Sequence, residues 1–136
     1  MFKLVKINGS RNNCPEFVRF LTANSDVPLV DGSLVIRDGM TVTICEKKPE
    51  YLIVGNYEIN KNYELVAYAV TPEMIFRTFC YILDREPLIG DRVDIYANEY
   101  SVACGVSLNE EGCGRVLDVN KINDDLIYVD VCFDGR

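Results

Sequence analysis

Six cysteines, Cys14, Cys45, Cys80, Cys104, Cys113 and Cys132, are the residues of this chain best suited to covalent or metal chemistry, and no histidine accompanies them. A thiol attacks only as the thiolate, so Cys104 or Cys113 in that role would need a depressed pKa without an imidazole beside it. The lack of histidine also removes the commonest general base, the Ser-His-Asp and Cys-His nucleophile pairs, and the mixed Cys/His zinc sites. No C-x-x-C pair occurs, which leaves a Cys-only metal site little support in the spacing. Cys104 and Cys113 bracket "CGVSLNEEGC", which reads as a hairpin across which the two thiols could face each other. Reduced thiols serving as small core hydrophobes fit the set better than a disulfide framework.

Carboxylates are the other candidates. Asp124-Asp125 and Glu110-Glu111 fall in predicted turns, where acidic side chains are solvated. Asp84, Glu86 and Asp91 surround a predicted connector and could hold a cation such as Ca²⁺, although their spacing is not that of an EF-hand. The run "GCGRVL", residues 112–117, opens like a dinucleotide fingerprint but lacks the third glycine and leads into a strand, so it reads as a hairpin turn. Neither a G-x-S-x-G elbow nor a Walker A loop is present. No catalytic residue, metal ligand or cofactor is assigned on these grounds, and the expectation is a protein that is not an enzyme. Of the eight tyrosines, Tyr51, Tyr57, Tyr63 and Tyr68 fall in one central stretch. They suit either an exposed interface, since tyrosine couples apolar area to a polar tip, or ordinary packing across a sheet face.

Charge narrows the partners. Fourteen Lys and Arg against 21 Asp and Glu give −7, which disfavours nucleic acid, because phosphate contacts need a basic face. No run approaches the roughly 20 apolar residues of a membrane-spanning helix, so no membrane partner is expected. The opening "MFKLVKINGS" has no apolar run long enough for a secretory signal, and synthesis in the cytoplasm is expected.

The elements that would position these residues are strands. Val93, Ile95 and Ala97 alternate with Arg92, Asp94 and Tyr96; Ile127, Val129, Val131 and Phe133 alternate with Tyr128, Asp130 and Cys132. A period of two marks half-buried strands. Further strands are predicted at 2–8, 33–37 and 41–45, and at 16–23, where a short helix is the other reading and a strand is favoured, with Asp31-Gly32 and Asp38-Gly39 as hairpin-type turns. An apolar run follows at 50–59, broken at Gly55-Asn56, and alternation resumes at 60–70. Residues 71–83 read as a strand with one helical turn at its start, from Thr71-Pro72-Glu73. The fold class is therefore all-β: a small antiparallel β-barrel or sandwich with tight hairpin turns. At 136 residues it forms one domain, or two packed β-lobes, 1–83 and 88–136, divided by the charged, Pro- and Gly-containing connector 83–91.

Three stretches together resemble small phage proteins that coat or cement capsids: "GSLV" at 32–35, "TPEMIFRT" at 71–78, and the closing pattern "LIGDRVDIY … GRVLDV … LIYVDVCF" within 88–133. The comparable pieces in that family are a proline-acid-methionine strand, a Gly-Asp-x-Val turn into a strand, and a final x-Val-x-Phe edge. The resemblance implies a non-enzymatic structural protein on the capsid exterior of a virion, binding the major capsid (shell) protein, with a homo-oligomer on the capsid as an option and no catalytic residues to carry over. Multivalent attachment would let modest contacts stabilise the lattice, with an N-terminal arm at 1–7 able to add to a neighbouring sheet. The contacts are then expected at exposed ends of the barrel: the turn at 24–31 with Asp26 and Asp31, the turn at 109–112 with Asn109, Glu110 and Glu111, and the region 51–63 with Tyr51, Tyr57 and Tyr63. The alternative is a ligand- or protein-binding β-barrel of a bacterial cell, which fold alone does not separate from the first reading.

Overall fold

In the computed structural model, residues 1–7, 17–22, 31–38, 41–44, 48–59, 62–97 and 103–135 are described, and all regular structure among them is β. Eleven strands follow in chain order: β1 (Lys3–Ile7), β2 (Phe17–Thr22), β3 (Leu34–Asp38), β4 (Thr41–Ile44), β5 (Tyr51–Ile59), β6 (Asn62–Ala69), β7 (Met74–Tyr81), β8 (Arg92–Ala97), β9 (Ala103–Leu108), β10 (Gly114–Asn123) and β11 (Leu126–Cys132). The helical turn expected at 71–73 is a β-turn instead. The Met74 N–H donates to the Thr71 carbonyl at 3.2 Å, and the chain runs directly into β7. The β-branched and aromatic residues that follow leave no room for helical propagation.

Five strands close a barrel in the order β7-β11-β10-β8-β9, sealed by parallel pairing of β7 with β9 through Phe79↔Gly105, Cys80↔Val106 and Tyr81↔Ser107. The same edge of β7 serves β1 along its first half, from Lys3↔Arg77 to Ile7↔Met74. The N-terminal strand is thus taken up by its own chain. An antiparallel five-stranded sheet, β2-β6-β5-β3-β4, forms the second unit. Strands β1 and β7 both precede residue 83 yet belong to the six-stranded sheet that contains the barrel, so sheet membership crosses the connector 83–91.

Alternation decides which face is buried. Along β7, Met74, Phe76, Thr78 and Cys80 point inward; along β11, Ile127, Val129 and Val131 do the same. Their side chains fill the lumen with Val93, Val106, Val116 and Phe133, each fully buried. Phe133 lies 5.7 Å from Phe76 and 6.2 Å from Phe2, centroid to centroid. Burying an aromatic of this size stabilises by about 1.5–3 kcal/mol. Leu34 and Leu52 of the second sheet join this cluster, while Val35, Ile53, Leu65 and Ala67 form a separate core with Tyr51 against it. No helix among the described residues is long and apolar enough to cross a membrane.

Candidate docking site on the barrel rim

The barrel leaves β7 through Ile82 and Leu83 and re-enters at Arg92. Between them the connector 83–91 turns its apolar side chains outward: Leu83 is 69 % exposed, Leu88 64 % and Ile89 69 %. Short polar bonds brace it from within. The Arg85 guanidinium grips Asp91 with both terminal nitrogens, Nη1 to Oδ2 at 2.7 Å and Nη2 to Oδ1 at 2.9 Å. The Leu88 N–H donates to Asp91 Oδ2 at 2.7 Å, and the Asp91 N–H donates back to the Leu88 carbonyl at 3.1 Å. Gly90, at φ +94°, supplies the left-handed residue of the turn.

Two backbone bonds then stitch the connector to β10: Gly90 N–H to the Val116 carbonyl at 2.8 Å, and Val116 N–H to the Asp91 carbonyl at 2.9 Å. Farther along, Lys121 Nζ reaches Glu86 Oε1 at 2.8 Å and Asp124 Oδ1 at 3.1 Å. The Arg85 hydrogen bonds hold the Asp91 carboxyl below the usual carboxylate range, with the Leu88 N–H helping. Of the three carboxylates considered as cation ligands, Asp91 is therefore occupied by Arg85 and Glu86 by Lys121. No group of His, Cys, Asp and Glu able to hold a metal occurs among the described residues.

The turn after β9 forms the facing wall. Asn109 donates through its side-chain amide to Asp94, accepts the Glu111 N–H at 3.0 Å, and takes the Gly112 N–H on its carbonyl at 2.9 Å. Asp94 Oδ1 also accepts the Cys113 N–H at 3.2 Å. Arg92 donates to the Gly112 carbonyl from Nη2 at 3.0 Å and Nε at 3.2 Å, and pairs with Asp134 at 2.8 Å. Between connector and turn lies a cleft of about 260 Å³, whose walls include Leu83, Asp84, Arg85, Leu108, Asn109 and Glu110.

This turn corrects two expectations. The segment "CGVSLNEEGC" is not a hairpin, and "GCGRVL" is not a hairpin turn, because β8 lies between β9 and β10 in the barrel. The chain instead crosses the end of β8 with Gly112 pressed on the Val93 backbone, where a Cβ would collide. Cys104 and Cys113 accordingly do not face each other across a strand pair. Both are free thiols, as are Cys80 and Cys132, while Cys14 and Cys45 lie outside the described residues. Burial pushes Cys113 and Cys80 each up to about 11, the opposite of what a nucleophile requires. The Cys104 sulfur sits 3.3 Å from the Tyr81 hydroxyl, beside the stacked rings of Tyr81 and Tyr96.

The residues expected to make contacts are only partly brought together. Asn109 and Glu110 line the cleft, with Glu111 exposed beside them. Asn109 is a bracing residue as much as a contact residue. Asp31 is exposed in the turn before β3. Tyr51 packs half-buried against the small core of the second sheet, and Tyr57, 59 % exposed, covers Gly55 on the same strand. Tyr63 pairs through its backbone with Thr22 and Glu58. Asp26 and the Tyr63 side chain lie outside the described residues. Sequence reasoning missed Leu83, Leu88 and Ile89. The available signal was an adjacent aliphatic pair, Leu88-Ile89, between a proline and a glycine-acid turn, where period-two burial does not apply.

Compared with protein-family models, curated proteins and solved structures, the chain gives no significant match to any of the three.

Proposed function

We propose that this chain acts by binding a protein surface and, following its resemblance to capsid-coating proteins, that the surface is the exterior of a phage capsid. In this reading it is non-enzymatic, engages the major capsid protein, and stabilises the shell lattice through many identical modest contacts. One observation carries the binding role: three aliphatic side chains, Leu83, Leu88 and Ile89, stand exposed on a connector made stiff by Arg85 and Asp91. Exposed apolar side chains on a pre-braced element favour association, because little conformational entropy remains to be lost.

A small-molecule-binding barrel is the weaker reading. Its lumen would have to hold the ligand, and that space is filled by Phe76, Phe133, Val93, Val106, Val116, Val129 and Val131. Quantitative mass spectrometry of purified particles from the source phage or prophage, beside the lysed-cell supernatant, tests the proposal. A copy number comparable to that of the shell protein is expected. Absence from particles with abundance in the soluble fraction would sink the capsid assignment and leave a cellular binding module.

A further inference from the structure

We infer that the cleft between the connector 83–91 and the turn 109–112 takes a segment of a protein partner that presents a lysine or arginine beside an aliphatic side chain. The inference rests on reading the chain as a protein-binding module, not on which particle or cell component it binds. The aliphatic half of the recognition comes from Leu83, 69 % exposed on the cleft wall that it shares with Leu108; Leu88 and Ile89 stand exposed on the same connector, outside the cleft lining. The charge follows from which groups are already satisfied. Both arginines at the cleft are used internally, Arg85 by Asp91 and Arg92 by Asp134 and the Gly112 carbonyl. Asp84 and Glu110 line the same cleft without an ion pair or hydrogen bond among the described residues.

An incoming cation therefore meets two carboxylates that no internal ion pair holds, with the Arg85 guanidinium, itself clasped by Asp91, acting on Glu110 only through its field. An acidic segment or a phosphate backbone meets repulsion and no available guanidinium. A second copy of this chain is disfavoured as occupant, because each copy carries −7. Preorganisation strengthens the case, since the cleft walls are fixed by Asn109 on one side and Arg85 on the other before any partner arrives.

Selection of a displayed random linear peptide library on the full chain provides the test. Enriched peptides should place Lys or Arg next to Leu, Ile or Val. A selected peptide should lose roughly tenfold or more in affinity for the Asp84→Lys/Glu110→Lys variant and for Leu83→Ser, with Tyr57→Ala unaffected. All these positions are exposed, so thermal midpoints near that of the unaltered chain provide the folding check. Acidic or charge-neutral selectants, no enrichment at all, or binding indifferent to both cleft variants would overturn the inference. So would a concentration-dependent dimer, measured by sedimentation, that disappears in Leu83→Ser, because the occupant would then be a second copy. The capsid assignment fails separately: particles lacking the protein leave the peptide result intact, whereas particles that retain both cleft variants at full copy number remove the cleft from the capsid contact.

Discussion

Arg85 and Asp91, six residues apart, close on each other through two charge-assisted hydrogen bonds of 2.7 and 2.9 Å, and the same carboxylate accepts the Leu88 N–H. That clasp converts a charged connector into a defined edge of the barrel. It neutralises two charges of the connector against each other while the Leu88 backbone is held to the same carboxylate, and Leu88 and Ile89 stay exposed.

Acid should undo this clasp. The Asp91 carboxyl titrates below its unfolded value, so it stabilises the fold above about pH 4 and stops doing so as pH falls through the lower folded value. Asp91→Asn is expected to melt below the unaltered chain at about pH 6, with the gap narrowing toward about pH 2. The effect is modest, since Arg85 is more than half exposed. Amide exchange at Leu88 should accelerate in the variant at the higher pH. A melting difference of the same size at both pH values would show that the clasp is not the source.

Gly112 and Gly90 separate two reasons for glycine. A Cβ at Gly112 would run into the Val93 backbone, which cannot move without opening β8. Gly112→Ala should therefore cost about 3 kcal/mol, the upper range of overpacking. Gly90 has open space around it but a φ of +94°, so Gly90→Ala should cost only about 1–2 kcal/mol of backbone strain. Urea denaturation of the two variants measures the order, and the reverse order would refute the crossing as the tighter constraint.

Much of the barrel was readable because burial follows chemistry residue by residue. Ile127, Val129 and Val131 alternate with Tyr128 and Asp130, and β11 buries the first set as the pattern requires. Asp38 and the strand beginning at Thr41 pair as the Asp-Gly signal implies. The order of strands was less legible. Turn residues around Gly112 announce a reversal but not which strand lies beneath, and insertion of β8 between β9 and β10 is a long-range result of closing the barrel. The site was obscured for a related reason. Whether Glu110 stays unpaired near Leu83, or Asp91 is consumed by Arg85, depends on connector and turn meeting at one rim.

Ser33 offers a test of packing. Its hydroxyl is buried at 1 % exposure with no hydrogen-bond partner among the described residues. An unsatisfied buried hydroxyl costs about 1–3 kcal/mol, whereas alanine at that place loses almost no contact area. Ser33→Ala should hold or raise the unfolding free energy, by on the order of 1 kcal/mol. A clear loss of stability on chemical denaturation would show that the hydroxyl is satisfied in solution.

The buried thiols make the fold's stability depend on alkaline pH. Burial drives Cys80 and Cys113 each up to about 11, with the negative fields of Asp91 and Asp94 adding to it. A thiol exposed by unfolding ionises near 8.5, so the unfolded chain releases these protons first. Stability contributed by the protonated thiols is complete below that pH and is lost as pH rises toward 11. Two consequences can be measured on one sample. Alkylation by iodoacetamide at about pH 8 should label Cys80 and Cys113 orders of magnitude more slowly in the folded chain than in urea, because few folded thiols are ionised and neither is accessible. The thermal midpoint should fall between about pH 8.5 and pH 11, and the fall should shrink in Cys80→Ala/Cys113→Ala once each midpoint is referred to its own value at neutral pH. Rapid labelling of either cysteine in the native state would mean that its thiol reaches solvent, and the thiolate chemistry that burial otherwise suppresses would be open to this protein.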